Sequence, residues 1–456
     1  MADYLISGRK ACMKKFADLL SAGNEKGQIL KVYLENFKYF NDTFGYDNGE
    51  RMLEDVAEYL AEVTGRTVYR FVGVEFVIIL DGLGQAKAED LAEEILSRFS
   101  HMWQIGETEC LCQAQIGMCP YPGIARSAEE LNLFLDRAVS ESTAQGPGQV
   151  TVYDSKLNER FIRNRMIALA LTEAVANNHV NVRYRPTFCQ DKGRFTRAEF
   201  YMRIFVEGIG NIGYEEFLPI AEDSGQVRVV EYFALRQVCE MISRLIDEGI
   251  EFESIALPIS SVLFLQEDFV DTVQQMMEEY KIPEGKLALE IHESMLTAAY
   301  FYVNVAMQEL SAMGVEIILN DFGSGYSGVS SILELPVDVL KLERMFVWQL
   351  ETNPRAADLI EGLIHIAIRL GLKIIAEGVE TDHQVDQLNA FGCGYRQGFY
   401  YAPTVESDLL SKVLGVPVDE AAARIEDEKE KGKKVKKQKE QMQKEREQAA
   451  EAKSGE

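Results

Sequence analysis

The chain has 456 residues, of which 47% are hydrophobic and 26% charged, and its formal net charge is −26. At about 150 residues per domain the length predicts two or three domains, and the apolar share excludes wholesale disorder. The stretch from Ala421 to Glu456 carries 11 Lys/Arg and 9 Asp/Glu, which leaves 36 basic against 64 acidic residues in the body; so acidic a body repels phosphate backbones and excludes a general nucleic-acid binder.

At the start, Met1 to Gly8 has no basic segment followed by a long apolar one, so no signal peptide is expected. No run approaches the roughly 18 apolar residues that a membrane segment needs. The seven cysteines (Cys12, Cys110, Cys112, Cys119, Cys189, Cys239 and Cys393) are odd in number and scattered. Cys110 and Cys112 lie near Cys119, but no histidine or fourth cysteine completes a zinc site, so small buried hydrophobes are the expectation. These features together predict a cytoplasmic protein.

Residues 1 to about 155 mix elements. Ile29–Leu34 is an apolar run, and helical periodicity follows over Asn36–Leu60, interrupted at FGYDNGE. TVYRFVG and EFVIILDG predict two strands joined by a tight turn at Val72–Gly73. A helix over Ala86–Phe99, a strand over Cys110–Met118 and a helix over Ala128–Ser142 come next, then a turn at Gln145–Gln149 and a last strand, VTVYD. That order predicts an α+β sheet carrying helices.

From about 160 to 415 the pattern changes. Eight strand-like runs alternate with helical stretches: Asn181–Tyr184, Phe195–Ile204, Ser254–Ile259, Leu287–Ile291, Val315–Leu319, Val339–Leu342, Lys373–Ala376 and Gly394–Tyr400. This is the arithmetic of a TIM-like (β/α)8 barrel, an α/β architecture. Polar residues recur where the runs end: Glu290, Asn320-Asp321, Lys341 and Glu377. Barrel chemistry sits at that end of the strands. Glu199, Glu290, Asp321 and Glu377, with the carbonyl oxygen of Asn320, are hard oxygen donors suited to Mg2+ or Mn2+, the ions that hydrolyse phosphodiesters in pairs, and Lys341 would neutralise phosphate or order water. From Ala421 onward the sequence is charged and of low complexity, with no sustained heptad, and predicts a solvated tail over 421–456.

At these residues the chain resembles two known families. Residues 160–410 are similar to an EAL-type cyclic di-GMP phosphodiesterase domain, through RYRP (Arg183–Pro186), AEFYMR (Ala198–Arg203), FLPIAEDSG, LEIHES, NDFGSGYSG, LPVDVLKLER, IIAEGVET and QGFYYAP. Residues 1–155 resemble a GGDEF-type diguanylate cyclase domain, through FKYFNDTFGYDNGE, RFVGVEF and AQGPGQVTVYD. The resemblance implies a degenerate cyclase. Tyr33 and Val74 stand where it expects metal-binding acids, Val72 where it expects a glycine, and Val63 and Arg66 where it expects the inhibitory R-x-x-D. Asn41 and Glu50 match its guanine-holding positions and leave GTP as a conceivable ligand.

In the second half the resemblance assigns metal binding to Glu199, Glu290, Asn320 and Asp321. It assigns catalysis, if any survives, to Lys341 and Glu377, and ligand binding to Arg203, Asp321, Lys341, Gln397 and Glu199, with Glu293 as a loop glutamate. Two ligands depart from the pattern. Pro258 replaces an asparagine in the third strand, and Asn320 replaces the first of two aspartates. Both losses fall on one metal cluster, so Mg2+ or Mn2+ is expected to bind weakly or not at all. Phe200-Tyr201 replace Ala-Leu and would either narrow the pocket or stack on guanine. The leading expectation is a non-catalytic cyclic di-GMP receptor that keeps the Arg203 phosphate grip. The alternatives are a weak metal-dependent phosphodiesterase and a nucleotide-independent interaction scaffold. A protein partner or a homodimer through the EAL domain is implied by the resemblance alone.

Overall fold

The protein was analysed as a computed structural model that describes residues 7–22, 26–106, 108–123, 125–177, 179–322 and 331–431. The chain divides into two compact units, Met1–Arg163 and Asn164–Glu456. The division falls within a helix, Ser155–Ala176. No helix among the described residues is long and apolar enough to cross a membrane.

The first unit is built on a six-stranded sheet whose order is Ser7–Gly8, Val68–Arg70, Glu75–Asp81, Gly27–Leu34, Ala114–Tyr121 and Val150–Val152. Its centre is antiparallel, with Ile29 opposite both Ile79 and Cys119. Alternation along the central strand feeds two cores. Leu30, Val32 and Leu34 pack on one face with Met52, Val56 and Leu60, and Ile29 packs on the other with Phe16, Leu19 and Leu135. The predicted helix over Asn36–Leu60 is two helices, Phe37–Phe44 and Tyr46–Thr64. They break at Gly45, whose φ of 86° only glycine adopts readily.

One sequence-based strand is corrected. Cys110–Met118 is not continuous: Thr108–Cys110 forms a small hairpin with Trp103–Ile105, and Ala114–Tyr121 joins the main sheet. The unbroken alternation in CLCQAQIGM hides the change of partner at Leu111–Gln113. All seven cysteines are buried with free thiols.

The second unit is the barrel. Its eight strands, counted in chain order, are Asn181–Cys189, Arg194–Val206, Ser254–Ile259, Leu287–His292, Glu316–Phe322, Val339–Leu342, Lys373–Glu377 and Tyr395–Gln397. Strands two to eight run parallel, and the first closes the ring antiparallel to both the second and the eighth. The reversal has a local cause: the first two strands are joined by the short Gln190–Gly193 turn, and only an antiparallel pair fits so brief a link.

Strand periodicity sets the barrel's interior in layers. An apolar residue precedes each rim residue by two places, the spacing of one face: Ala256 before Pro258, Ala288 before Glu290, Ile318 before Asn320, Val339 before Lys341, Ile375 before Glu377. These five side chains form a separate apolar cluster, with Tyr395 packed against it. The segment expected to begin a solvated tail also departs from its reading. The chain is helical over 418–431, and Ala421 and Ile425 are buried in the core outside the barrel. Packed structure therefore extends beyond residue 415. Residues 432–456 lie outside the described set.

Candidate functional site

The C-terminal ends of the strands surround a cavity of about 460 Å³, lined among others by Glu199, Tyr201, Pro258, Glu290, Asn320 and Lys341. At its floor Lys341, 1% exposed, reaches three carboxylates: Glu199 Oε2 and Glu290 Oε2, each at 2.9 Å, and Glu377 Oε2 at 3.3 Å. Gln397 donates from Nε2 to Glu199 Oε2, and its own Oε1 accepts from Thr187 at 3.3 Å. Gln397 is held at this height because the next residue, Gly398, lies against the seventh strand's exit; a Cβ there would come within 2.2 Å of the Val379 carbonyl oxygen. Five residues singled out from sequence (Glu199, Glu290, Lys341, Glu377 and Gln397) are thus brought together.

Electrostatics follow from that crowding. Burial and then the Glu199 charge push the Glu290 carboxyl up to about 8. Burial also acts against ionised Glu199, but the Lys341 and Arg185 charges outweigh it and hold that carboxyl below its ordinary value. Lys341 resists its own burial because the Glu199, Glu290 and Glu377 charges keep its ammonium well above the ordinary lysine value. The buried cluster is one charged ammonium with more carboxylates than it can neutralise.

The other sequence-selected residues are placed less centrally. Asn320 lines the cavity and is half-buried. Asp321 lies one residue before the end of the fifth strand, but its side chain lies outside the described residues, as does segment 323–330. Arg203 shares the inward face of the second strand with Glu199 and Tyr201, is exposed, and is not among the residues lining the cavity. Glu293 is fully buried beside the rim, its N–H donating to the Asn320 carbonyl at 3.2 Å. The two rings that replace Ala-Leu separate: Phe200 is buried edge-on to Tyr184, whereas Tyr201 carries the Arg185 guanidinium 4.3 Å from its ring centroid. Arg185 also donates to Glu377 Oε1 at 2.8 Å.

Pro258 is tolerated in a central strand for a topological reason. The second strand pairs with the third only as far as Glu199 opposite Ala256, two residues short of Pro258, so the ring removes no ladder donor on that side. Beyond it lies a group that sequence reasoning missed. Glu231, fully buried in helix Val227–Asp247, accepts from Ser260 N at 2.9 Å, Ser260 Oγ at 2.6 Å and Tyr214 Oη at 2.6 Å. It fixes the turn that carries Pro258 into the rim. Its signal was a lone acid in the apolar run VRVVEYFAL.

Among the described side chains, which do not include that of Asp321, the rim as arranged does not fit a divalent ion. The Lys341 ammonium already takes the point where three carboxylates converge, the third strand presents Pro258, and no group of three or more His, Cys, Asp or Glu among the described residues is spaced to ligate a metal.

In the first unit, Val72–Gly73–Val74 form the turn between two strands, and Val72 is half-exposed. The carboxylate that follows, Glu75, is paired with buried Lys31 at 2.7 Å. Glu50 is paired with Arg70, whereas the buried Oδ1 of Asn41 has no hydrogen-bond partner among the described residues.

Comparison with known proteins identifies the two units. The EAL domain family model matches residues 168–404. The chain belongs to the EAL family. The model for the diguanylate cyclase, GGDEF domain matches residues 6–149, so a GGDEF unit precedes the EAL barrel. Among curated relatives, the bifunctional diguanylate cyclase/cyclic di-GMP phosphodiesterase MucR of Pseudomonas aeruginosa is 30% identical over 388 residues, 84% of this chain and 57% of that protein. The cyclic di-GMP phosphodiesterase PdeR of Escherichia coli is 26% identical over 383 residues, 84% of this chain and 58% of that protein. This GGDEF–EAL chain spans about half the length of the curated relatives it matches. A solved PaMucR phosphodiesterase–c-di-GMP complex covers 54% of this chain and 99% of that one, at 29% identity and a TM-score of 0.51. The GGDEF–EAL portion of Vibrio cholerae LapD shares the fold at 18% identity, covering 88% of this chain and 95% of that one with a TM-score of 0.54.

Proposed function

We propose that this GGDEF–EAL protein is a cyclic di-GMP receptor whose phosphodiesterase site no longer turns over and whose cyclase unit is inactive. The observation that carries the reading is Lys341 at the convergence of Glu199, Glu290 and Glu377, next to a third strand that offers Pro258 in place of an oxygen donor. The rim still presents a cavity with Tyr201 on its wall, and Arg203 stands farther out on the same strand face. An aromatic wall suits a purine base, and a guanidinium suits a phosphate. Cyclase chemistry is disfavoured because Tyr33 and Val74 supply no carboxylate and Glu75 is held by Lys31.

A residual Mn2+-dependent phosphodiesterase is the second reading. It is favoured by the intact set of Glu199, Glu290, Lys341, Glu377 and Gln397 on one rim and by relatives that carry that activity in their names. Titration of the purified chain with cyclic di-GMP, with and without Mn2+, while linear product is followed by chromatography, separates the readings. Binding without product is expected. Turnover overturns the receptor in favour of the enzyme, and absence of binding leaves a nucleotide-independent scaffold.

A further inference from the structure

Arg185 enters the rim from the reversed first strand, directly across the ladder from Glu199. Its guanidinium lies over the Tyr201 ring at 4.3 Å and donates to Glu377 Oε1 at 2.8 Å, while Lys341 holds the other oxygen of the same carboxylate at 3.3 Å. The side chains of Arg185 and Glu377 are 23% and 14% exposed, so water screens the pair only in part. Both oxygens of Glu377 are therefore engaged by protein cations. Within this ion-pair cluster two cations, Lys341 and Arg185, face three carboxyl groups, Glu199, Glu290 and Glu377.

We propose that Arg185 is a built-in cation of the rim: stacked on Tyr201 and paired with Glu377, it supplies charge that a divalent ion would otherwise supply, and so makes the site independent of metal. Tyr201 is part of the device. A ring at that place gives the planar guanidinium a face to lie on and fixes its direction toward Glu377, which an aliphatic side chain would not do. Lysine at 185 would keep the charge but lose the stacking and the fork geometry. Arg185 is a positioning residue: it acts on Glu377 and on the cation balance, with no reacting group of its own. The proposal deepens the receptor reading, because a rim that carries its own cations binds nucleotide in the presence of a chelator.

The test is made first without nucleotide, so that its failure is separate from failure of the receptor reading. Mn2+ binding to the full chain is followed through the free-ion signal in electron paramagnetic resonance, for the wild type and for Arg185→Gln, Arg185→Lys and Tyr201→Leu. Removing one positive charge beside three carboxylates is expected to tighten Mn2+ binding about tenfold in Arg185→Gln. Arg185→Lys should stay within about twofold of wild type because the charge survives, and Tyr201→Leu should tighten Mn2+ binding about threefold to fivefold because the guanidinium loses the face that fixes its direction. Wild-type Mn2+ binding as tight as that of Arg185→Gln overturns the proposal. Should Arg185→Gln not fold, judged by its melting curve, the decision passes to Tyr201→Leu, and unchanged Mn2+ binding there is the overturning result. Cyclic di-GMP titration of the wild type in EDTA is the second arm. Affinity unchanged by EDTA is expected; nucleotide binding that needs Mn2+ overturns metal independence and leaves the receptor reading standing.

Discussion

The two ends of the barrel interior are both ionic, yet they are built to opposite standards. At the N-terminal end Arg197, 4% exposed, makes two bonds to Glu316 at 2.6 and 2.8 Å and one to Glu253 at 2.9 Å. Lys373 adds a bond to Glu316, and Lys192 and Tyr395 each add one to Glu253, all at 2.9 Å. Three cations meet two carboxylates, and both acids stay easily ionised despite burial: Arg197 and Lys373 hold Glu316 down at about 2, and Lys192 and Arg197 lower Glu253. In the rim's ion-pair cluster, two cations meet three carboxyl groups, and one of these, Glu290, is pushed up to about 8 and so keeps its proton at neutral pH. One end is closed as scaffold. The other reaches balance only because one of its acids, Glu290, stays protonated, so its charge changes with pH where that of the scaffold end does not.

Breaking the satisfied end should cost most. Arg197→Met leaves buried Glu316 without its bidentate partner and is expected to destabilise the barrel by about 3–5 kcal/mol in chemical unfolding of the full chain. Acid should erode the same end. The folded Glu316 carboxyl titrates at about 2, below its ordinary 4.5, so its contribution is fully present above the unfolded value and is lost as pH falls through the folded one. That contribution is worth about 3 kcal/mol; the wild-type minus Glu316→Gln stability difference, measured from pH 6 to pH 2, should shrink accordingly.

The rim should behave with the opposite sign. Glu290 binds its proton more tightly in the folded chain than in the unfolded one, so stability falls as pH rises from about 4.5 towards 8. Glu290→Gln, which needs no proton, should therefore gain on wild type across that window, by on the order of 2 kcal/mol at its upper end. Pro258→Asn with Asn320→Asp should sharpen the contrast further by adding an oxygen donor and a charge to the rim. Tighter Mn2+ binding and measurable linear product are expected, and a folded double variant with neither would show that the defect lies elsewhere. The smallest effect returns to the scaffold end. Lys192 is 41% exposed, and Lys192→Ala should change stability by less than about 1 kcal/mol.

Much of this was legible in the sequence, and the limits have physical causes. Strand periodicity and polar residues at strand ends located the barrel and its rim, since a period of two places every rim residue above an apolar one. Direction was not legible: the alternation in RYRPTFC is the same whichever way the strand runs, and only closure against both neighbours fixes it. The helix Arg9–Ala22 went unread although Cys12, Phe16 and Leu19 recur at helical spacing on its buried face. The Pro258 and Asn320 departures could be read residue by residue. That Lys341 sits among three acids, and that Arg185 is paired with Tyr201 and Glu377, depends on convergence of distant strands that no local spacing encodes. Glu231 was hidden because its partners Ser260 and Tyr214 belong to other elements.

The apolar layer of Ala256, Ala288, Ile318, Val339 and Ile375 lies two residues below the rim positions of its own strands. It acts as an insulating partition across the barrel. The Lys341 pairs on one side and the Arg197 pairs on the other share no residue. Substitution of Pro258 or Asn320 is therefore expected to leave the scaffold on the far side undisturbed. Such a partition lets substitutions at the rim change its chemistry while the stability of the barrel is set on the other side.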